Sequence, residues 1–253
     1  MNKTTKNCKG LALILLTSAL LIVAAIPNIA TVNAQAMDNV YIYNSIGGTI
    51  ATMGTTLDGG VSYQFEDGTA VTLDAVPDTG YQFLCWEVVN AEGASTPTDS
   101  TLEFTPNAAD NAIQAMFIPT SNDTMTPSGT GASTVDILIS VGGETVPAAG
   151  TSYTNYNIGE VNDFQETAGT GFKFLCWIVD TFDQGASIYT DSTLSLNIPA
   201  DFVSIQAMWI PTDSTVTVTM PTPTPIPELS TIIVALALIG AAAGTIVYKR
   251  KTK

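Results

Sequence analysis

Several residues have types and spacings that could support chemistry. Asp78-Thr79-Gly80 has the form of the acid-protease triplet, in which two carboxylates share one proton to activate water. Glu87, Glu92 and Glu103 lie near one another in the chain and invite comparison with the paired carboxylates of a glycosidase. Cys85 and Cys176 are candidates for a disulfide, and Trp86, Trp177 and Trp209 offer faces on which sugars stack. The chain contains no histidine, which removes imidazole triads and the ordinary neutral-pH switch. No Asp-x-Asp-x-Asp-Gly calcium loop occurs.

An internal duplication decides most of these readings. Gly80-Tyr81-Gln82-Phe83-Leu84-Cys85-Trp86 returns as Gly171-Phe172-Lys173-Phe174-Leu175-Cys176-Trp177. Thr98-Asp99-Ser100-Thr101-Leu102 returns as Thr190-Asp191-Ser192-Thr193-Leu194, and Ile113-Gln114-Ala115-Met116-Phe117-Ile118 as Ile205-Gln206-Ala207-Met208-Trp209-Ile210. The counterpart of Asp78-Thr79-Gly80 is Gly169-Thr170-Gly171, which supplies no second carboxylate, so Asp78 reads as a turn-former after Pro77. Glu87, Glu92 and Glu103 correspond to Ile178, Gln184 and Ser195 and read as solvated acids on the open face of a sheet. The tryptophans belong to repeated apolar strands, which favours core packing over sugar stacking. Lys173, between Phe172 and Phe174, points to the opposite face from both and is expected in solvent, where its amine cannot serve a Ser/Lys dyad. Cys85 and Cys176 occupy equivalent positions, expected about a domain length apart, whereas a disulfide needs Cα atoms within about 7 Å. Both read as small buried hydrophobes. Tyr81, Phe83, Cys85, Trp86, Phe172, Phe174, Cys176 and Trp177 are thus expected to form the repeat cores, with no catalytic, cofactor or metal residues.

The elements that position them are strands. Val61 to Phe65, Val71 to Ala75 and Thr101 to Thr105 alternate apolar and polar residues, as do Val135 to Val141 and Thr193 to Ile198, a period of two that marks half-buried strands. No convincing 3.6-residue stripe lies between Ala36 and Pro221. Turn signals such as Asp67-Gly68 and Pro77-Asp78-Thr79-Gly80 punctuate the pattern. Gly47-Gly48 matches Gly142-Gly143 with the second copy four residues shorter before its aromatic strand; that variable stretch is expected to be a loop.

Charge sets the chain's surroundings. The acids number 23 and run from Asp38 to Glu228, against one base, Lys173, in the same span; the other seven bases are Lys3, Lys6, Lys9, Lys249, Arg250, Lys251 and Lys253. Such a body cannot displace counterions from a phosphate backbone, so nucleic acid is excluded as a partner. The lysines before the apolar run Leu11 to Ile26, and Ala34-Gln35-Ala36 after it, form a secretory signal peptide. Leu229 to Tyr248 carries no charge and is long enough to span a bilayer of about 30 Å. The basic tail behind it stays cytoplasmic by the positive-inside rule, placing the acidic body outside and making the lipid bilayer a partner. Gly240 and Gly244 form a small-xxx-small pair suited to helix pairing. Pro221-Thr222-Pro223-Thr224-Pro225 reads as an extended stalk, either O-glycosylated or bare. Asn122-Asp123-Thr124 is a glycosylation sequon in the inter-repeat segment.

The first copy resembles the divergent InlB B-repeat family, also called bacterial repeat domains, on Gly68, Val71, Leu73, Ala75, Pro77, Gly80, Tyr81, Phe83, Trp86 and Ala115-Met116-Phe117. The second keeps Gly159, Gly171, Phe172, Phe174, Trp177 and Ala207-Met208-Trp209, with Asn162 and Ala168 departing from the pattern. Both copies place Cys where the family has a small residue before Trp. The resemblance implies a small β fold, with a grasp-like arrangement as one form of it, used as a spacer or adhesion module without catalytic residues. Pro227-Glu228-Leu229 before the apolar helix resembles the Pro-Glu-Phe sorting signals of archaeal surface proteins, with Leu229 in place of Phe.

The expected architecture is mainly β: two tandem small antiparallel domains, sandwich-like or β-grasp-like, with a signal peptide and one C-terminal transmembrane helix. The boundaries are signal peptide 1–36, repeat one 37–119, linker 120–134, repeat two 135–212, Thr/Pro stalk 213–228, helix 229–248 and tail 249–253. The expected function is that of a non-enzymatic single-pass surface protein for structure or adhesion, with other surface proteins or glycans as partners. The alternative is an extracellular ligand-binding module holding carbohydrate or a divalent cation at the repeat loops or the inter-repeat cleft.

Overall fold

The computed structural model describes residues 36–107 and 111–221. Residues 1–35 of the signal peptide, the stalk from residue 222, Pro227-Glu228-Leu229, the helix 229–248 with Gly240 and Gly244, and the tail lie outside the described residues. No helix among the described residues is long and apolar enough to cross a membrane.

Residues 37–221 lie in one compact unit built entirely of strands and connections. The first copy runs β1 (Met37–Ile42), β2 (Gly48–Thr52), β3 (Thr55–Leu57), β4 (Val61–Glu66), β5 (Val71–Pro77), β6 (Tyr81–Asn90), β7 (Gly93–Ser95), β8 (Thr101–Phe104) and β9 (Asn111–Pro119). The second runs β10 (Ala132–Leu138), β11 (Gly143–Val146), β12 (Thr151–Asn157), β13 (Val161–Ala168), β14 (Phe172–Thr181), β15 (Gly185–Tyr189), β16 (Thr193–Asn197) and β17 (Phe202–Pro211). Each copy folds as two sheets. In repeat one the orders are β4-β1-β9-β6-β7 and β3-β2-β5-β8; in repeat two they are β12-β10-β17-β14-β15 and β11-β13-β16.

Between the two sheets of each copy lies an apolar layer, so each is a sandwich. Repeat one packs Val40, Ile42, Trp86, Ile113 and Phe117 against Ile50, Leu73, Leu102 and Phe104. Repeat two packs Val135, Trp177, Ile205 and Trp209 against Phe164, Leu194 and Leu196. The β-grasp alternative is corrected: that arrangement needs a helix on the sheet, and none occurs among the described residues. The expectation of purely antiparallel sheets is also corrected, because β1 pairs parallel with β9 and β10 parallel with β17. Between β1 and β9 the chain passes repeatedly from one sheet to the other, with β4, β6 and β7 in the first sheet and β2, β3, β5 and β8 in the second, before β9 joins β1 in the same direction.

The repeated motifs have physical reasons. Phe83 and Trp86 are three residues apart, yet both contribute to the inner layer. A β-bulge at Leu84 reconciles this: Phe83 faces Phe117, Cys85 faces Met116, and the register shifts between them. The extra residue reverses which side faces the core. The same shift occurs between Phe174 and Cys176. Trp86 Nε1 then donates to the Asp99 carbonyl at 2.8 Å, and Trp177 Nε1 to the Asp191 carbonyl at 3.1 Å, which is why the Thr-Asp-Ser-Thr-Leu loop recurs with the tryptophan. The double glycines recur because aromatic rings lie on them. A Cβ on Gly143 would sit 2.4 Å from Trp209, and one on Gly48 2.6 Å from Phe117.

The stretch expected to be a variable loop holds strand β3 in repeat one. Met53 and Gly54, with φ of 48° and 77°, turn β2 into β3; positive φ at both positions is the geometry of a tight type I′ hairpin. Three residues are too few for alternation to show in the sequence.

Gly143→Ala tests the close packing directly, since its backbone angle is ordinary and its whole cost is steric. It is expected to cost about 1–3 kcal/mol in chemical denaturation; an unchanged midpoint would mean that Trp209 yields without penalty.

Candidate functional site at the repeat interface

The side of β6 and β14 turned away from each sandwich core is covered by the other repeat. Ile46, Cys85, Met116 and Ile118 of repeat one form one buried cluster with Cys176, Ile178, Ile188, Met208 and Ile210 of repeat two. Strand β15 packs on β9, and β7 on β17. Each repeat therefore uses the same surface on the other, as the halves of an isologous dimer do.

Two glutamines fasten this contact. Gln114 and Gln206 are fully buried at equivalent positions. Gln206 Oε1 accepts from Ile46 N at 2.8 Å and its Nε2 donates to the Asn44 carbonyl at 2.9 Å. Gln114 Oε1 accepts from Val141 N at 3.1 Å, and its Nε2 donates to the Asn44 carbonyl at 2.9 Å and to Ser140 Oγ at 3.3 Å. Ile46 and Val141 both precede a double glycine, so the two amides exchange equivalent backbone partners. Sequence reasoning missed them. The signal was a glutamine recurring inside Ile-Gln-Ala-Met, an otherwise apolar strand.

Glu87 corrects a further expectation. It is 0% exposed, not solvated, because the face of β6 that seemed open carries the second repeat. Neither carboxyl oxygen has a hydrogen-bond partner, and burial pushes its pKa up to about 9, so it is neutral at pH 7. Tyr43 and Cys85 lie within its electrostatic reach. Its counterpart Ile178 is buried at the same place in repeat two. Glu92 and Glu103 are exposed, as expected.

The remaining sequence candidates divide between core and surface. Trp86, Trp177 and Trp209 are buried and offer no face to a sugar. Phe83 and Phe174 are partly buried beside them, with ring centroids 5.6 Å from Trp86 and 5.8 Å from Trp177. Phe172 packs in the second core, and Tyr81 touches both its own core and the interface. The buried Tyr81 hydroxyl has Asp180 of the other repeat as its main charged neighbour, and burial raises both groups' pKa values. Asp78 makes a turn: its N–H donates to the Gly47 carbonyl at 2.9 Å and its carbonyl accepts from Tyr81 N at 3.0 Å. Gly169 makes the same two bonds in repeat two, so the Asp78 carboxylate is not needed for them. Lys173 is exposed, its ammonium donating to the Ser214 carbonyl at 2.7 Å and the Thr212 carbonyl at 3.3 Å.

Cys85 and Cys176 are free and buried, but the distance argument made for them is corrected. They stand in one cluster because the repeats meet through equivalent strands, which brings equivalent positions together. The linker also docks. Asn122 Oδ1 accepts from Ile188 N at 3.0 Å, Asp123 N donates to the Ala186 carbonyl at 3.2 Å, and Thr126 N to Gln184 Oε1 at 2.9 Å. The segment thus lies along the edge of β15, with Asn122 half-buried.

Between the repeats a cavity of about 220 Å³ opens, lined by Tyr41, Tyr43 and Asn44 on one side and by Asp136, Leu138 and Ile139 on the other. The two tyrosine rings meet edge-on at 4.7 Å. Asp136 accepts the Ser152 hydroxyl. Among the described residues, no three acidic, Cys or His side chains are grouped to hold a metal ion.

Glu87 sets a pH dependence. Its folded pKa near 9 exceeds an unfolded value near 4.5, so the folded state retains the proton that the unfolded chain releases. Stability contributed by that proton is full below pH 4.5 and is lost as pH rises to 9. Relative to Glu87→Gln, the parent is expected to lose up to about 1.4 kcal/mol per pH unit in this window. A difference that stays flat between pH 5 and 8 would refute a neutral buried carboxyl.

Among curated proteins nothing matches the chain. The family model of the divergent InlB B-repeat domain matches residues 40–121, which spans β1 to β9, and the first repeat of this chain is accordingly a divergent InlB B-repeat domain.

Proposed function

We propose that the chain is a non-enzymatic cell-surface protein whose two β repeats serve structure and contact, held to the bilayer by the helix 229–248. The observation that carries this reading is the use made of the repeated residues. Tryptophans, double glycines, Thr-Asp-Ser loops and glutamines all go into packing each sandwich or fastening one to the other, and none converges on a reacting centre. A repeat domain of a bacterial surface type fits that use. The acidic exterior, with one base in residues 37–221, keeps such a body soluble and repels like surfaces.

Lys173 supplies the test of topology because it is exposed and is the only lysine between residues 37 and 228. A membrane-impermeant amine reagent applied to intact cells is expected to label Lys173 and to reach Lys249, Lys251 and Lys253 only after lysis. Labelling of the tail with Lys173 protected would overturn the proposed orientation.

The inter-repeat cavity favours a second reading, capture of a neutral carbohydrate. Tyr41, Tyr43 and Asn44 line one wall, and their equivalents in repeat two are Asp136, Leu138 and Ile139. The core motifs of the two copies stay alike, whereas these positions diverge into an aromatic wall facing an acidic one. Aromatic rings suit the C–H faces of sugars, the carboxylate and amide suit hydroxyls, and the absence of a base disfavours anionic ligands. Tyr41→Ala is expected to abolish retention on beads carrying mannose, galactose or N-acetylglucosamine while leaving the melting temperature within a few degrees. Failure of the parent protein to be retained on any of the three would remove this reading.

A further inference from the structure

The interface that joins the repeats is rich in sulfur. Cys85 and Met116 are cross-strand partners, with Sγ and Sδ 3.8 Å apart. Cys176 and Met208 are cross-strand partners at the equivalent bulge. All four side chains are fully buried, and all four belong to the single cluster in which the repeats meet. Both cysteines of residues 37–221 are therefore here, each with a methionine beside it, one pair contributed by each repeat.

We propose that Cys85, Met116, Cys176 and Met208 form a binding site for a soft monovalent metal ion, Cu(I), held between the two repeats. The donor set selects the ion. Thiolate and thioether together favour Cu(I), whereas a structural zinc site draws its four ligands from Cys, His and carboxylate and takes no thioether. The surroundings select the charge. The neighbours are Ile46, Ile118, Ile178, Ile188 and Ile210, with the buried Glu87 carboxyl in electrostatic reach of Cys85, and such surroundings penalise any net charge left unpaired. One thiol loses its proton to solvent as the ion binds, so Cu⁺ and a single thiolate make a neutral pair, with the second thiol and the thioethers completing coordination; a divalent ion would need two buried anions. Both thiols are fully buried, and one gives up its proton only when an entering cation displaces it. The segment after β17, which has no regular secondary structure, lays Val216 and Val218 on the cluster.

This inference is independent of what the surface of the protein contacts, and its test does not involve adhesion or topology. The full chain, reduced and anaerobic, with Cys8→Ser to silence the thiol outside this cluster, is titrated against bathocuproine disulfonate for Cu(I) and, separately, with Ag(I) as a redox-inert probe. One equivalent per chain is expected to move from the chelator to the protein, with a raised melting temperature because the ion binds the folded state. Cys85→Ala with Cys176→Ala is expected to lower affinity at least 100-fold. Met116→Leu and Met208→Leu nearly conserve volume and so keep the interface packed; each is expected to lower affinity about tenfold, a loss like that seen for weaker or supporting contacts at metal sites. The proposal is overturned if the folded parent takes no Cu(I) from the chelator, if the leucine variants bind as tightly as the parent, or if protein isolated from cells has lost two hydrogens to a Cys85–Cys176 disulfide.

Discussion

A primary amide removed from water must find partners for both of its ends, and Gln114 and Gln206 find theirs across the repeat boundary. Leaving such a group unpaired inside a protein costs roughly 1–3 kcal/mol, so the two glutamines tolerate only arrangements in which the loops before both double glycines are present and correctly placed. Apolar burial alone would let the two sandwiches slide over each other at little cost. The amides convert a greasy contact into one register. Everything else at the junction, from the docked linker to the paired sulfurs, depends on that register being unique.

The junction is not optimised for stability alone. Glu87 stands where its equivalent is isoleucine, fully enclosed and without a hydrogen-bond partner. Burying a carboxyl in its neutral form is far cheaper than burying a carboxylate, which explains how the position is tolerated, but an aliphatic side chain would pack there at no such cost. The two repeats have accordingly diverged in the buried face and in the cleft beside it, where Tyr41 and Tyr43 oppose Asp136 and Leu138, while each sandwich core has kept its aromatic plan.

Much of the interior of each copy was legible in the sequence, and the surface between the copies was not. Alternation identified five of the strands, β4, β5, β8, β10 and β16, and the returning Phe-Leu-Cys-Trp segment identified the core aromatics, because both signals are local. The bulge at Leu84 escaped notice since it changes side-chain phase without changing composition. The parallel pairing of β1 with β9 depends on how far apart two strands are in the chain, which periodicity does not encode. Glu87 was misread for a deeper reason: alternation says that two faces of a strand differ, but not that the second face has a cover of its own. Cys85, Met116 and Ile118 stood on that face and, with Ile178 opposite Glu87, already made it too apolar for water. A wide separation of the cysteines requires tandem copies that sit end to end, whereas equivalent surfaces that are complementary to themselves fold back on one another.

The segment from Ser121 to Thr126 does more than join two halves. Its backbone and Asn122 bond to the edge of β15, so the tether leads repeat one toward the surface it is to occupy. A single copy in dilute solution would carry an uncovered apolar face and would have to meet its mate by diffusion, at a rate set by its concentration. Joined by a short, anchored strap, the same encounter happens within one molecule at an effective concentration in the millimolar range, and its outcome no longer depends on expression level. Duplication in this chain thus buys assembly that is insensitive to dose.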